Sequence, residues 1–297
     1  MSRRGGSQDG PTGVCIVDKP AGWTSHDVVA RARRLIGTRR VGHAGTLDPM
    51  ATGVLVLGVG RATRLLNLIT GVDKVYEATI RFGVETDTLD AEGTVTAEHD
   101  MPEPEPEAVA AAAAALTGAL LQVPPMVSAI QVGGRRLHEL AREGIEVERE
   151  ARPVVVHRFD LHPSEDPFLW HAQVHCSSGT YVRSLAADLG TALGGGAHLA
   201  SLRRTAVGPF TLDEARPLEE LELLPPLEAV RHLDRVVVGE DVATAVGHGK
   251  VLDPSVLGVQ GPGPWAVTDG DEQLLAVYEA HGSRVKPAIV LVPAGAG

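Results

Sequence analysis

The sequence predicts an α+β protein with a small β-rich module at its C-terminal end. Two observations carry this. Apolar runs of strand length alternate with stretches of helical period up to about residue 235. Beyond that point four strand-like runs (RVVV, WAVTD, LLAVY, AIVLV) are separated by Gly and Pro at spacings near 8–12 residues. The length of 297 residues supports the same division, being room for one large domain and a small one. So short a module lacks the residues for much of a core and is expected to lean on the main body.

Residues 14–18 (VCIVD) read as a short buried strand closed by Lys19-Pro20 and Gly22. Ser25 is the expected N-cap of a helix over 26–36 that stops at Gly37. Residues 39–53 hold Gly42, Gly45, Pro49 and Gly53 and read as a loop. The run at 54–59 (VLVLGV) is apolar without alternation, as in a strand buried on both faces. A short helix follows at 61–70, and 74–82 (KVYEATIRF) alternates like a half-buried strand. Residues 86–93 form a polar loop before another strand at 94–97. Prolines and glutamates then lead into an alanine-rich helix ended by Gly118. The stretch 121–152, broken by Pro124-Pro125 and Gly133-Gly134, offers no continuous apolar face and reads as a projecting insertion with a charged helix near 137–143. Strands near 153–161 and 168–176, a loop at 177–180, a helix at 181–193 and a second short helix near 197–203 complete the main body.

Composition excludes several classes. No apolar run approaches the ~18 residues of a membrane span. The first residues, MSRRGGSQDGPTG, have no apolar core and do not read as a secretory signal. The two cysteines, Cys15 and Cys176, sit in apolar strand-like runs with neither metal-ligand nor disulfide spacing. A reducing cytoplasmic setting is expected, with no metal and no cofactor. Net charge is −11, yet residues 1–64 carry ten Lys/Arg against four Asp/Glu. That local basic excess suits binding of nucleic acid on one face.

The stretch Arg40-Val41-Gly42-His43-Ala44-Gly45-Thr46-Leu47-Asp48-Pro49-Met50-Ala51-Thr52-Gly53 is the candidate binding loop. Its glycines permit tight turns and close backbone approach. Taken alone, Asp48-Pro49 is a turn former and His43 a hydrogen-bonded structural histidine. Other segments change that reading. GHAGTLDPMATGVL resembles the catalytic motif of the bacterial-type tRNA pseudouridine-55 synthases, the TruB family. Asp18-Lys19-Pro20-Ala21-Gly22 with Thr24-Ser25, Lys74-Val75-Tyr76, and Thr86-Asp87-Thr88-Leu89-Asp90-Ala91-Glu92-Gly93 resemble further family motifs. So do Val123-Pro124-Pro125 with Ser128-Ala129 and Gly134-Arg135, Cys176-Ser177-Ser178-Gly179-Thr180-Tyr181-Val182-Arg183, and His198-Leu199 with Leu202-Arg203-Arg204. The blocks stand in family order over roughly residues 13–215.

The resemblance implies the pseudouridine synthase fold: a mixed, mostly antiparallel sheet with helices, a catalytic cleft and an inserted thumb. It divides the chain into a disordered tail at 1–12, a catalytic domain at 13–235 with the thumb at 124–152, and a small C-terminal domain at 236–297, for which a PUA-like fold is one option. That end is shorter than the RNA-binding end common in the family. The implied activity is isomerisation of uridine 55 in the T-loop of tRNA. The N1–C1′ bond breaks, the base turns, and C5 joins C1′, so neither metal nor nucleotide is consumed. A carboxylate suits the positive charge that develops at C1′, as in glycoside hydrolysis; Asp48 supplies it, by attack at C1′ or by taking a sugar proton. Arg183 is its implied partner and is expected to keep it ionised. Tyr76 is expected to stack on the uracil and to accept the C5 proton. His43 is expected to fill the space of the flipped base. Lys19 holds either a phosphate or the catalytic loop, Asp90 orients the site, and Tyr181 supports Arg183. Further substrate contacts are expected from Arg39, Arg40, Arg203 and Arg204. The expected partner is the T-arm stem-loop of tRNA, with no membrane and no obligatory protein partner, the protein acting as a monomer. Three other readings share some of these features: an RNA-binding folding helper, an RNA-guided relative, and a nucleosidase.

Overall fold

The structure, a computed structural model, describes residues 10–128, 131–132, 134–136, 140, 143–145 and 147–292. The chain begins with β1 (Gly13–Lys19), α1 (Ser25–Ile36), β2 (Val41–Ala44) and β3 (Thr52–Val59). A 3-10 turn over Gly60–Leu65 leads into α2 (Leu66–Thr70), followed by β4 (Lys74–Phe82), β5 (Val84–Thr86), β6 (Val95–Glu98), α3 (Pro106–Ala115) and β7 (Gly118–Gln122). Next come β8 (Gln131–Val132), β9 (Arg135–Arg136), β10 (Arg152–Pro163), β11 (Leu169–Cys176), α4 (Val182–Ala192), β12 (Ala197–Val207) and β13 (Phe210–Thr211). The last part holds β14 (Asp234–Val237), α5 (Glu240–Gly247), α6 (Pro254–Leu257), β15 (Trp265–Thr268), β16 (Leu274–His281) and β17 (Arg284–Val290).

Among the described residues nine strands make one sheet in the order β1-β3-β12-β4-β11-β10-β7, with β2 beside β3 and β13 beside β12. The β3–β12 pair is parallel; the other pairs in this sheet are antiparallel. The unbroken apolar run of β3 has its reason here. Val54 and Val56 enter one core with α2 and the C-terminal sheet, while Leu55 and Leu57 enter another with Val28, Val29 and Ala32 of α1. Each such buried Val or Leu side chain contributes roughly 1.5–3 kcal/mol. The alternation of β4 has the opposite cause: Tyr76, Ala78, Ile80 and Phe82 face a core shared with α4, and the residues between them do not.

The projecting segment has a clear root. Gln122 of β7 pairs with Arg152 of β10, so the chain leaves the sheet after residue 122 and returns at the same point. This excursion spans the segment expected to be the thumb; most of the expected charged helix near 137–143 lies outside the described residues, as do residues 1–9 of the tail.

Three local expectations need correction. The N-cap of α1 is Thr24, not Ser25; Thr24 Oγ1 accepts from Asp27 N at 3.1 Å, and Asp27 Oδ2 accepts from Thr24 N at 2.9 Å. Such a capping box stabilises a helix by about 1 kcal/mol. The loop at 39–53 contains β2, paired with β3 from Val41↔Val59 to Ala44↔Val56. Residues 197–203 are strand, not helix. A bulge between Leu199 and Ser201 buries Leu199 and Leu202, three residues apart, and imitates a helical period.

Strands β14–β17 form a second, four-stranded sheet, with α5 and α6 between its first two strands. Ala266, Leu274, Val277 and Leu291 from this part share one core with Val14, Val54, Leu65 and Phe210. Arg61 also donates to the Leu291 carbonyl at 3.0 Å, and Arg64 to that of Val290 at 2.6 Å. Among the described residues no helix is long and apolar enough to cross a membrane.

Candidate active site

The loop between β2 and β3 is held from beneath by the segment between β1 and α1. Lys19 is fully buried, and its Nζ donates to the carbonyls of Pro20 (2.9 Å), Trp23 (2.6 Å) and Pro49 (3.2 Å). Gly22 N donates to the Pro49 carbonyl at 2.8 Å. Ser25 Oγ accepts from Leu47 N at 2.9 Å and donates to the Leu47 carbonyl at 3.2 Å. Of the two options for Lys19, the geometry gives loop holding. Burial pulls its pKa down to about 8. Two glycines of the loop have steric reasons. Gly45 has φ of 77°, and a Cβ on Gly53 (φ 102°) would lie 2.1 Å from the Arg204 carbonyl oxygen of β12.

This scaffold presents Asp48 to Arg183, the second residue of α4. Asp48 Oδ2 lies 3.0 Å from Arg183 Nε. Arg183 Nη1 faces Asp90 Oδ2 at 3.3 Å and donates to the Thr88 carbonyl at 2.9 Å; Nη2 donates to the Val127 carbonyl at 2.8 Å. Buried and bonded through all three nitrogens, this arginine is fixed in place. Asp90 is buried too, accepting from Thr88 Oγ1 at 2.6 Å and Glu92 N at 3.1 Å. Between them Leu89 takes φ of 62°, a left-handed conformation that costs a non-glycine residue about 1–2 kcal/mol. Backbone bonds of Leu89 and Ala91 with Leu199 of β12 hold it there.

Arg183 was expected to keep the Asp48 carboxyl ionised, hence low in pKa. The net shift is upward, because burial outweighs Arg183 and Asp90 adds repulsion. The carboxylate remains a third exposed, to a cavity of about 450 Å³. Tyr76, Lys74, Tyr181 and Arg204 line the same cavity. A second cavity, about 370 Å³, shares Asp48 and Arg183 and extends toward Asp90 and His26. Both volumes are of the size that takes a small-molecule group.

Tyr76 is buried in β4, which pushes its phenol pKa up, against an opposing pull from Arg204. Tyr181 precedes α4, and Gln122 clamps its backbone, with Oε1 accepting from Tyr181 N at 2.7 Å and Nε2 donating to its carbonyl at 3.1 Å. Sequence reasoning missed Gln122, Ser25 and Lys74. Ser25 and Lys74 lie in the quoted motifs; Gln122 carries no local signal.

The remaining expected residues scatter. His43 packs edge-on against His26, ring centroids 5.4 Å apart, and is not among the residues lining either cavity. Burial lowers its pKa to about 4, so it is neutral at pH 7. Arg39 and Arg40 are exposed near the start of β2. Arg203 forms a two-pronged pair with Asp18, at 3.1 and 2.7 Å. Arg204, expected with Arg203 among the substrate contacts, is buried and lines the Asp48 cavity. It is 1% exposed and donates to the carbonyls of Val54 (2.8 Å) and Gly45 (3.1 Å). It lies at an inward position of β12, which runs on through the residues where a short helix near 197–203 had been expected.

Comparison with known proteins gives the fold and the family. Chains of an archaeal box H/ACA sRNP Nop10-Cbf5 complex and of a Cbf5-Nop10-Gar1 complex are each 26% identical, with TM-scores of 0.71 and 0.73. They cover 96% and 95% of this chain, and 87% and 85% of their own. The fold is that of the pseudouridine synthases. Residues 33–182 match the TruB family pseudouridylate synthase N-terminal domain, 183–243 the tRNA pseudouridylate synthase B C-terminal domain, and 233–292 the tRNA pseudouridine synthase II C-terminal domain. Proteins called tRNA pseudouridine synthase B from Thermobifida fusca and an Arthrobacter species are 51% and 49% identical, over 94% and 95% of this chain and 98% and 97% of their own lengths. The chain belongs to the TruB family of pseudouridylate synthases, and is thus an isomerase. The expected shortness of its C-terminal end does not set it apart from these relatives, whose lengths it spans almost completely.

Proposed function

We propose that this protein converts uridine 55 in the T-loop of tRNA to pseudouridine, with the target base flipped out of the stack into the cavity beside Asp48. The observation that carries the reading is the carboxylate of Asp48, open to that cavity and fixed by a buried arginine that a second buried carboxylate also grips. Asp48 engages the sugar as the N1–C1′ bond breaks. The electron pair goes to N1, the base turns, C5 bonds to C1′, and the C5 proton is lost while N1 gains one. Partial desolvation raises the basicity of Asp48, which suits attack or proton removal better than a fully hydrated carboxylate would. Tyr76 acts first as a ring against the base, since burial favours its neutral phenol; Arg204 opposes that and eases its use as proton acceptor at C5.

Lys19, Asp90 and Tyr181 position the loop, Arg183 and the start of α4. Arg39 and Arg40 contact the tRNA backbone. The protein acts alone, as a cytoplasmic monomer that grips the T-arm with the excursion after Gln122. The near full-length likeness to synthases named for tRNA favours this over an RNA-guided role.

Tritium release from an unmodified tRNA transcript labelled at uridine C5 tests the proposal. The wild type is expected to release tritium and leave pseudouridine at position 55, with no free uracil. Asp48→Asn is expected to bind the transcript and release nothing. Free uracil would indicate a nucleosidase, and tight binding without release a folding helper.

A further inference from the structure

Away from the Asp48 cavity, Asp73, His157 and His175 converge, with donor atoms all within 4.8 Å of one another. We propose that these three side chains form a site for a zinc-class divalent cation, which ties β4, β10 and β11 together beside the cavity. Asp73 Oδ2 lies 3.2 Å from His157 Nε2 and 3.6 Å from His175 Nε2. Ligands at ~2.0–2.1 Å around a tetrahedral zinc stand ~3.3 Å apart. Both separations lie close to that edge length. The imidazole rings are 4.7 Å apart and inclined at 47°.

The backbone is shaped for this meeting. Val156 pairs with Cys176 and Arg158 with His175, so His157 is the extra residue of a bulge in β10. Bulges re-aim a side chain, and this one brings His157 beside a histidine of the neighbouring strand. Asp73 stands just before β4, its carbonyl accepting from Gly208 N at 2.8 Å. All three side chains remain 38–45% exposed, which leaves a path of entry and room for water to complete the coordination. Two imidazoles and one carboxylate suit zinc, cobalt or nickel; magnesium and calcium prefer all-oxygen shells. The competing account is a carboxylate merely shared by two hydrogen-bonding histidines.

Lys74 and Ser177 line the active cavity, next to Asp73 and two residues beyond His175 respectively. A cation here cross-links three adjacent strands at the cavity rim and stabilises the folded chain by mass action.

The test uses the untagged, chelator-treated full chain. Zinc is titrated calorimetrically, cobalt(II) serves as an optical probe, and Tm is followed against zinc concentration. One zinc per chain, a tetrahedral cobalt spectrum and a zinc-dependent rise in Tm are expected. His157→Gln, His175→Gln and Asp73→Asn should each weaken binding by at least about tenfold, since even an outer-shell partner is worth 10–100-fold. His281→Gln, at an exposed histidine elsewhere, should bind as the wild type does. Absence of a tetrahedral cobalt spectrum in the wild type, or equal zinc affinity in the wild type and His157→Gln/His175→Gln, overturns the proposal. The wild-type spectrum decides the matter even if a variant fails to fold.

Discussion

Two buried arginines wall the Asp48 cavity, and they are compensated differently. Arg183 meets two carboxylates, Asp48 and Asp90, and two carbonyls. Arg204 donates to the carbonyls of Val54 and Gly45 and lies opposite Tyr76 across the β12–β4 pair, with no ion pair among the described residues. Arg183 therefore meets more carboxylate charge than it carries, whereas Arg204 meets neutral carbonyls. The difference teaches that one arginine fixes a reactive carboxylate, while the other tunes a phenol. Burial accordingly raises Asp48 despite its cation and lowers Arg204 for want of a carboxylate.

Breaking the compensated side should have the largest effect. Arg183→Leu leaves buried Asp90 and half-buried Asp48 as neighbouring carboxylates without their cation. Loss of one partner of such a pair costs roughly 3–5 kcal/mol, and loss of a fixed site cation roughly 10²–10³ in kcat. Arg183→Lys is expected to rescue little, because one ammonium does not reproduce the fork that holds two carboxylates and two carbonyls. The acid limb of the wild-type rate should lie above the ordinary Asp range near pH 3.9, since the Asp48 pKa is raised. In Arg183→Lys, if activity suffices, that limb should move higher still. An acid limb unmoved by this change would separate Asp48 from Arg183 in function.

The uncompensated side should yield a smaller effect of a different kind. Arg204→Met exposes no carboxylate; it leaves two carbonyls short of a donor, at about 1–3 kcal/mol each, and removes a costly buried charge. A net stability change well below that of Arg183→Leu is expected, with a loss of about tenfold in kcat, the scale of a weakened proton transfer. Without Arg204 the Tyr76 phenol moves further up, so any alkaline limb should shift to higher pH. An unchanged pH profile with merely lower protein yield would reduce Arg204 to a structural brace.

The sequence made one of these sides more legible than the other. The Asp48–Arg183 pair spans 135 positions, and only the family resemblance of both motifs joins them, yet that sufficed because each stands beside distinctive neighbours. The β12 bulge spaces Leu199 and Leu202 like a helix face, so the expected short helix near 197–203 hid the strand that carries Arg204 inward. The strands of the main body were readable from β3 and β4, whose apolar patterns report two cores and one. The C-terminal strands were visible as runs, but α5 and α6 were not, being short and of mixed composition. Asp73, His157 and His175 lie far apart in sequence, and no local spacing signals a contact that a bulge and three strand registers create.

Each side also contains a buried lysine, Lys19 near Asp48 and Lys74 near Arg204, and burial lowers both to about 8. Between pH 8 and their ordinary 10.5 the unfolded chain holds protons that the folded chain has released, so stability rises with pH there. Cys15 and Cys176 act in the opposite sense, being raised by burial from 9.0 to about 11, and they offset the lysines above pH 9. The urea midpoint is expected to rise from pH 8 to 9 and then flatten. Lys74→Met should halve that rise, whereas an equal rise in the variant would mean that Lys74 keeps its proton.

The smallest effect is expected from the surface, where neither side of the cavity is disturbed. Arg39 and Arg40 are exposed within the basic first 64 residues and lie just before β2, which leads into the loop that carries Asp48. If they meet phosphates, each releases about one counterion on binding, so reversing both to Glu should lower affinity and flatten the slope of log K against log salt by roughly 1.5–2. At saturating tRNA the rate should stay near that of the wild type, because the Asp48–Arg183 geometry is untouched. A lowered kcat with an unchanged salt slope would place these arginines with the catalytic loop and remove them from the RNA interface.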